Sequence, residues 1–301
     1  MRRVRRTELV TPAVNVRMMR KALLETAADE VIFDLEDSVP TTQKEIARRN
    51  VVEVLSSLVM TENKTIAVRI NSMDTNWWLE DLRFVIGRVG EKIDCVVVPK
   101  VKKPSDIGAI DDELTSLEVE LGLGSKVGIE VIIETAEGLL RCGEIAFSSS
   151  RLESLIFGPG DYAADIGMSS LVIGEYVAEY PGHIWHFALF SVRNASAAAG
   201  LQAIDGPYAL YTDLDGLLKS AKLSRSLGFD GKWVIHPSQI SVCNDVYTPT
   251  KKDLEKARKI IQAYEKAVGE GLGAFSVEGI MVDGATIRIA KRILEMERYV
   301  K

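Results

Sequence analysis

The sequence predicts an α/β protein: a (β/α)8 barrel followed by a small C-terminal α-helical lid. Eight short β-branched runs alternate with helical patterns, and each run is apolar enough to be buried on both faces, as in a parallel sheet. The alternation spans about 240 residues, a length typical of a TIM barrel. No glycine-rich phosphate loop follows the first run, which disfavours an open doubly wound sheet.

The predicted elements follow one another along the chain. Short β-branched runs mark strands at 8–11, 31–35, 65–70, 95–99, 128–133, 154–157, 201–204 and 232–235. Helical patterns mark helices at 17–28, 43–58, 77–89, 105–122, 138–148, 185–199 and 213–227. Each strand after the first is therefore expected to return to the same sheet through a helix on its outer face.

The last part of the chain breaks this alternation and predicts a separate lid. We expect the barrel to occupy residues 1–245 and the lid segment residues 246–301. Pro249 interrupts the chain, after which Leu254, Ala257 and Ile261 keep helical spacing. A glycine-rich, hinge-like stretch at 269–275 precedes a closing amphipathic helix, an arrangement typical of a lid.

Composition limits the classes of function. The 301 residues carry a formal net charge of −6, which disfavours general binding to nucleic acid or membranes. No apolar run is long enough to cross a bilayer, and no signal-peptide core follows the basic start. Three cysteines and three histidines suit neither a disulfide framework nor a zinc cluster. We expect a cytoplasmic protein whose chemistry uses carboxylates, arginines and lysines.

Polar groups follow most of the predicted strands, at the barrel face where such proteins place their active sites. Glu134 and Asp161 end neighbouring strands and could converge on one ion. One or two carboxylates with water and substrate is the usual way in which Mg²⁺ is held, so the pair predicts a magnesium site. The alternative for either residue is a cap on the following helix.

Three further strand-end residues have two interpretations each. Arg69 could clamp a substrate carboxylate or neutralise an enolate, or it could form an ion pair with the acidic residues after the second strand. Asp37 could orient a metal-bound water or cap a helix. Lys100 could form a Schiff base, although a buried ion-pair lysine beneath the carboxylates is the favoured interpretation.

The N-terminus is basic within an acidic protein. Arginines at 2, 3, 5 and 6, with basic residues at 17, 20 and 21, predict either a solvated face or a site for a phosphorylated ligand.

Several motifs together resemble one family. They are 5–13 (RRTELVTPA), 31–39 (VIFDLEDSV), 68–71 (VRIN), 97–101 (VVPKV), 133–138 (IETAEG), 157–162 (FGPGDY), 204–208 (IDGPY) and 231–239 (GKWVIHPSQ). Their order and number are similar to the citrate lyase β-subunit-like branch of the HpcH/HpaI aldolases. Within that branch the chain resembles malyl-CoA and β-methylmalyl-CoA lyases, and the segment 180–185 favours that side.

The resemblance implies a Mg²⁺-dependent, reversible Claisen cleavage of a 3-hydroxyacyl-CoA, with Mn²⁺ as a substitute ion. Malyl-CoA would give acetyl-CoA and glyoxylate, and methylmalyl-CoA would give propionyl-CoA and glyoxylate. Glu134 and Asp161 would hold the metal, and Arg69 would contact the oxo acid and the enolate oxygen. Asp283, in the motif 279–283 (GIMVD), would be the acid/base delivered from a neighbouring subunit of a homo-oligomer, a trimer or hexamer.

The same resemblance assigns a path for coenzyme A, formed by Val10, Thr11, Lys21, Gly160, Ile204 and Asp205. Asn15 stands where the family often has a basic or polar residue. Other outcomes stay open: a citramalyl-CoA lyase, a malyl-CoA thioesterase, or a citrate-lyase-type β subunit that acts on a carrier-bound acyl group.

Overall fold

The computed structural model describes residues 2–58, 64–168, 183–269, 275–277 and 279–299. The chain divides into two compact units, Met1–Asn244 and Asp245–Lys301. Most of the predicted hinge at 269–275, and residues 180–182 of the family-like segment, lie outside the described residues.

Eight parallel strands close into a barrel in the first unit, with each strand paired to the next and β8 paired to β1. The strands are β1 Thr7–Pro12, β2 Glu30–Asp34, β3 Thr65–Arg69, β4 Cys95–Val98, β5 Gly128–Ile133, β6 Leu152–Phe157, β7 Gln202–Asp205 and β8 Gly231–Val234. The prediction of a TIM barrel is therefore confirmed, and every predicted strand is present within a few residues of its expected position.

Helices connect these strands. They are α1 Val16–Glu25, α2 Lys44–Ser57, α3 Trp77–Val89, α4 Pro104–Leu121, α5 Ala136–Leu140, α6 Cys142–Ala146, α7 Pro159–Asp165, α8 His186–Ala199, α9 Leu214–Ser226 and α10 Ile240–Tyr247. Within the described parts of the chain, no helix combines the length and apolar character needed to cross a membrane.

Strict alternation along the strands decides which side chains enter the barrel. Ile32, Ala67 and Ile132 belong to one buried cluster in its interior. Their sequence neighbours Val31 and Phe33 are equally buried, on the other face of the strand, because helices cover the outside. Because every second residue of a strand lies on the same face, polar residues at both ends of the strands also point into the barrel.

One such group, which we call the lower cluster, consists of Arg5, Glu8, Glu30 and Glu130. The Arg5 side chain is fully buried; its Nε donates to Glu30 at 2.8 Å and lies 3.3 Å from Glu130. Glu8, Glu30 and Glu130 thus share one guanidinium in a space closed to solvent, and the partly exposed Glu153 accepts from its Nη2 at 2.8 Å. The Ser154 hydroxyl also donates to Glu130, at 2.5 Å.

Protons balance the charge of the lower cluster. Burial, with repulsion from the Glu130 carboxylate, raises the pKa of both Glu8 and Glu30 well above the ordinary value. Burial would also raise the pKa of Glu130, but Arg5 lowers it. Burial therefore favours the neutral forms of Glu8 and Glu30, and Arg5 favours the ionised form of Glu130.

The second unit contains α11 Lys251–Gly269, β9 Phe275–Val277, β10 Ile280–Val282 and α12 Gly284–Glu295. The two strands pair antiparallel. Ala257 and Ile260 of α11 pack with Val282, Ile287 and Ala290 in one apolar cluster. The amphipathic spacing read from the sequence therefore forms the core of this unit, with two short strands added to the helices.

Candidate active site

A cavity of about 480 Å³ lies at the carboxyl ends of the barrel strands. It is lined by Val10, Pro12, Met18, Asp34, Asp37, Ser38, Arg69, Ile132, Glu134, Ile156, Phe157, Gly158, Pro159, Gly160, Asp161, Pro207, Trp233 and Ile235. Four residues predicted to be catalytic or to bind metal therefore line one cavity: Asp37, Arg69, Glu134 and Asp161. Apolar walls with a few converging polar groups are typical of a ligand site.

Arg69 is fixed at the end of β3 by the acidic residues that follow β2. Its Nε and Nη2 donate to the two oxygens of Asp34, at 2.7 and 2.6 Å, because Asp34 and Arg69 are partners in the strand register. Nη1 lies 3.0 Å from Glu36. Burial alone would lower the pKa of Arg69, but Asp34 and Glu36 raise it, so the guanidinium stays charged. The ion pairs and a role toward substrate are compatible.

Asp34 is itself held in its ionised form. Burial opposes this, but Arg69 and the donors of Ser38 and Glu36 lower the pKa of Asp34. The ring of Trp233 lies beneath the guanidinium, 5.6 Å from Cζ.

Lys100 follows β4 and reaches across the same acidic loop. Its ammonium donates to Glu36 at 2.7 Å and to Asp37 at 3.1 Å, and lies 3.8 Å from Asp161. Glu36 is buried, whereas the Asp37 and Asp161 side chains are about half exposed. The geometry matches the ion-pair interpretation of Lys100. Burial raises the pKa of Glu36 despite the cations.

Glu134 follows β5 as a buried carboxyl of the cavity wall. Among the described residues its one donor is the backbone N–H of Lys100, at 2.8 Å from Oε1. Burial, with the charges of Glu36 and Asp161, raises the pKa of Glu134 to about 8. A nearby cation would stabilise the ionised form, because it would offset both the burial and the repulsion.

Gly158 makes room for this carboxyl. A Cβ at position 158 would lie 2.5 Å from Oε2 and from Cβ of Glu134. The φ angle of Gly158 is −103°, which any residue adopts, so the requirement for glycine is steric. Gly158 thus leaves the space that the second oxygen of Glu134 occupies.

The residues present fit a hard divalent cation. Glu134 and Asp161 offer oxygens to one cavity, where burial of Glu134 and the charges of Glu36 and Asp161 raise the pKa of Glu134. Mg²⁺ takes one or two carboxylates and keeps waters or substrate oxygens in its remaining positions. The capping alternative does not hold for Glu134, since Thr135 caps α5, with Oγ1 2.9 Å from the N–H of Gly138. Asp161 lies in the first turn of α7.

The residues predicted along the coenzyme A path are only partly brought together. Val10 and Gly160 line the cavity. Ile204 lies in the apolar cluster beneath it, against which Val10 packs. Thr11 is buried and Lys21 is an exposed residue of α1, and neither lines the cavity.

Asp205 lies beside a second, small cavity instead. Its carboxylate accepts from the buried Lys232 at 2.5 Å, and Lys232 also donates to Ser220 at 3.1 Å. Asn15 caps α1 by accepting from the N–H of Met18 at 3.0 Å. These contacts give Asp205 and Asn15 clear roles in the fold.

The arginines of the N-terminus do not form one exposed patch. Arg5 belongs to the buried lower cluster. Arg3 pairs with Asp94 at 2.7 Å, and Arg6 pairs with Asp29 at 2.7 Å. The hypothesis of a phosphate site at these residues is therefore not supported by their geometry.

Asp283 lies in the second unit and caps α12. Its Oδ1 accepts from the N–H groups of Ala285 and Thr286, at 2.9 and 3.0 Å. The hydrogen bonds from Thr286 and Ala285 lower the pKa of Asp283.

Three contributors were not assigned from the sequence: Asp34, Trp233 and Gly158. Their positions can be read from the alternation of side chains along a strand, since residues two positions apart lie on the same face. Asp34 follows Ile32 by two positions and Gly158 follows Ile156 by two, which places both on the interior face. Trp233 could have been found in the same way, by alternation along β8.

Comparisons with known proteins agree with this site. The family model for HpcH/HpaI aldolase/citrate lyase matches residues 6–237. The chain belongs to the HpcH/HpaI aldolase/citrate lyase family. A second model, for carbon–carbon bond lyases of the TIM-barrel fold, matches residues 178–298. The predictions of this family and of a carbon–carbon lyase are confirmed.

Relatives within the HpcH/HpaI family extend over almost the whole chain. The L-malyl-CoA/β-methylmalyl-CoA lyase of Rhodobacter capsulatus is 36% identical over 308 residues, 99% of this chain and 96% of the relative. The citrate lyase β subunit of Escherichia coli K12 is 35% identical, covering 97% and 93%. The solved structure of CitE from Mycobacterium tuberculosis with magnesium, acetoacetate and coenzyme A has a TM-score of 0.77 and 27% identity, covering 98% and 99%.

Proposed function

We propose that this protein is a Mg²⁺-dependent CoA-ester lyase that cleaves a 3-hydroxyacyl-CoA reversibly, with malyl-CoA or methylmalyl-CoA as substrate and glyoxylate as the oxo acid. The observation that carries the proposal is the meeting of Arg69, Glu134 and Asp161 in one cavity with apolar walls. The full-length similarity to L-malyl-CoA/β-methylmalyl-CoA lyases supports the choice of substrate. The CitE complex with magnesium and coenzyme A supports the choice of metal and acyl carrier.

Glu134 and Asp161 would hold the metal. When bound, Mg²⁺ would polarise the oxygens of the hydroxy acid or oxo acid. The Arg69 guanidinium, kept charged and oriented by Asp34, would stabilise negative charge on the thioester enolate. Asp37, half exposed at the cavity edge, would orient a water or the substrate hydroxyl.

Asp283 would transfer the proton at the acyl carbon. In condensation its carboxylate would remove a proton from the acyl-CoA, and the lowered pKa of Asp283 suits this role of base. In the cleavage direction the same carboxyl, in its protonated form, would return a proton to the enolate. In keeping with the resemblance, we propose that a neighbouring subunit of a homo-oligomer delivers Asp283, and that the lid excludes water from the enolate.

Removal of Asp283 tests this role. We expect Asp283→Ala to bind Mg²⁺ and CoA as the wild type does, but to lose about 10²–10⁴-fold in turnover, the range for a general acid or base. Calorimetry would measure binding, and released glyoxylate would measure turnover. Near-wild-type cleavage by Asp283→Ala would remove Asp283 from the mechanism.

A substrate panel tests the function itself. Purified protein with Mg²⁺ is given malyl-CoA, methylmalyl-CoA or citramalyl-CoA, and glyoxylate, pyruvate and free malate are measured. Glyoxylate from the first two substrates is expected. Pyruvate from citramalyl-CoA alone would change the substrate, and free malate without glyoxylate would make the protein a thioesterase.

The citrate lyase β subunit is a second candidate, because it is almost as similar to this chain. In that case the acyl group would be carried by a protein. Turnover of free malyl-CoA by the isolated chain would exclude this candidate.

A further inference from the structure

The loop after β4 contains the one described non-glycine residue with a left-handed backbone. Lys100 has a φ angle of 53°. Such a conformation is uncommon outside glycine and persists where the surroundings impose it. Here it presents the backbone N–H of Lys100 to Glu134 and sends the side chain toward Glu36 and Asp37. Lys100 therefore contacts Glu134 through its backbone, and Glu36 and Asp37 through its side chain.

The charges around Lys100 are unbalanced. We use the name upper cluster for Asp34, Glu36, Asp37, Arg69, Lys100, Glu134 and Asp161. Within it five carboxyls surround two cations. Arg69 is engaged by Asp34 and Glu36, so the ammonium of Lys100 is the cation nearest to Asp161, at 3.8 Å. Nearby, Lys44 donates to the backbone carbonyls of Leu35 and Glu36.

We propose that Lys100 is a built-in cation of the upper cluster, which holds its carboxylates together before metal binds and thereby weakens the affinity for Mg²⁺. This inference rests on the proposed function, since it concerns the metal held by Glu134 and Asp161. A fixed ammonium close to Asp161 repels a second cation, and this repulsion is strong in a partly buried cavity. The benefit is that Glu36 and Asp37 keep their positions when no metal is present.

Lys100 is thus a positioning residue with two separable parts. Its backbone N–H orients Glu134, and every variant that keeps the backbone conformation retains this contact. Its ammonium sets the electrostatic potential, and only variants that remove the charge lose it. A purely structural lysine would behave differently, because its removal would loosen the cluster and weaken the binding of metal.

The test is the affinity of the purified full-length protein for Mg²⁺ alone, measured by isothermal titration calorimetry at fixed pH and ionic strength. Lys100→Met removes the charge and keeps an unbranched side chain. We expect it to bind Mg²⁺ about tenfold more tightly than the wild type. Lys100→Arg restores the charge, and its affinity is expected to lie within about twofold of the wild-type value.

Lys102→Met is the matched control. Lys102 lies two residues further along and pairs with the exposed Asp74 at 2.7 Å, away from the upper cluster. Its removal changes the net charge equally, and we expect no change in affinity for Mg²⁺. Lys100→Gln repeats the test with a second neutral side chain if Lys100→Met does not fold.

Three outcomes contradict the proposal in different ways. Equal or weaker Mg²⁺ binding by folded Lys100→Met would overturn the role of Lys100 and leave the proposed lyase intact. Equal tightening by Lys102→Met would reduce the effect to net charge. If neither the wild type nor any variant binds Mg²⁺ at millimolar concentration, both this inference and the metal of the proposed function are wrong.

Discussion

The barrel interior carries acidic groups at both ends of its strands, in two different environments. β2 provides Glu30 to the lower cluster and Asp34 to the upper cluster, four residues apart. The lower cluster is closed to solvent and is neutralised by Arg5 and by protons on two carboxyls. The upper cluster opens into a cavity, where the side chains of Asp37 and Asp161 are about half exposed. Both clusters are acidic, so what distinguishes the proposed catalytic upper cluster from the lower cluster is its access to a ligand.

The same substitution at each end gives the largest contrast in activity. Glu134→Gln removes a proposed metal ligand, and we expect it to lower kcat/KM for malyl-CoA by at least about 10³-fold, since charge stabilisation at the reacting centre is lost. Glu8→Gln changes an equally buried carboxyl of the lower cluster and is expected to keep wild-type turnover. Loss of turnover in both variants would refute the division between the ends.

Removal of an arginine of the lower cluster should affect stability more than removal of an arginine outside it. Arg5→Met leaves the Glu130 carboxylate buried without its cation, and we expect the free energy of unfolding to fall by about 3–5 kcal/mol. Arg3→Met removes a half-exposed arginine with two acidic partners, and a loss of about 0–1 kcal/mol is expected. Urea unfolding followed by circular dichroism measures both. Equal losses would show that the lower cluster has no special role in stability.

Substitution of Gly158 by alanine tests whether the Glu134 carboxyl needs the space beside it. Gly158→Ala places a Cβ against the carboxyl, and we expect it to destabilise the fold by about 1–3 kcal/mol and to weaken Mg²⁺ binding. Gly108→Ala is the control, because no atom lies within 4 Å of the added Cβ. Wild-type metal affinity in Gly158→Ala would show that the carboxyl does not need this space.

The smallest effect is a pH dependence. The folded state holds protons on Glu8 and Glu30 that the unfolded chain releases above about pH 4.5. Each therefore contributes stability that is complete below that pH and is lost as the pH rises. Glu8→Gln removes one such loss, so its stability relative to the wild type should increase as the pH rises from 4 to 8, by at most about 1.4 kcal/mol per pH unit.

The sequence predicts the barrel well because each strand is short, apolar and separated from the next by a helical pattern. It also locates Glu134, Asp161 and Arg69, since the ends of parallel strands meet on one face. Period-two spacing along β2 and β6 also places Asp34 and Gly158 on the interior face. The sequence also favours an ion pair for Lys100, but the choice of Glu36 as its partner does not follow, because it depends on a left-handed residue in a loop.

The lower cluster marks a second limit of the sequence. The sequence predicts a basic patch that includes Arg5, because its sequence neighbours are arginines. In the fold Arg5 enters the barrel before β1 begins and meets glutamates from four different strands. A pairing of residues up to 148 positions apart is set by the closed sheet, and local sequence carries no sign of it.

The most direct test of the central claim is the release of glyoxylate from malyl-CoA by the purified chain, with Mg²⁺, after treatment with EDTA, and after Mg²⁺ is restored. We expect glyoxylate and acetyl-CoA to form in equal amounts, EDTA to abolish their formation, and Mg²⁺ to restore it. Cleavage that continues in EDTA would contradict the assignment of Glu134 and Asp161 to a metal. Release of free malate in place of glyoxylate would contradict the lyase.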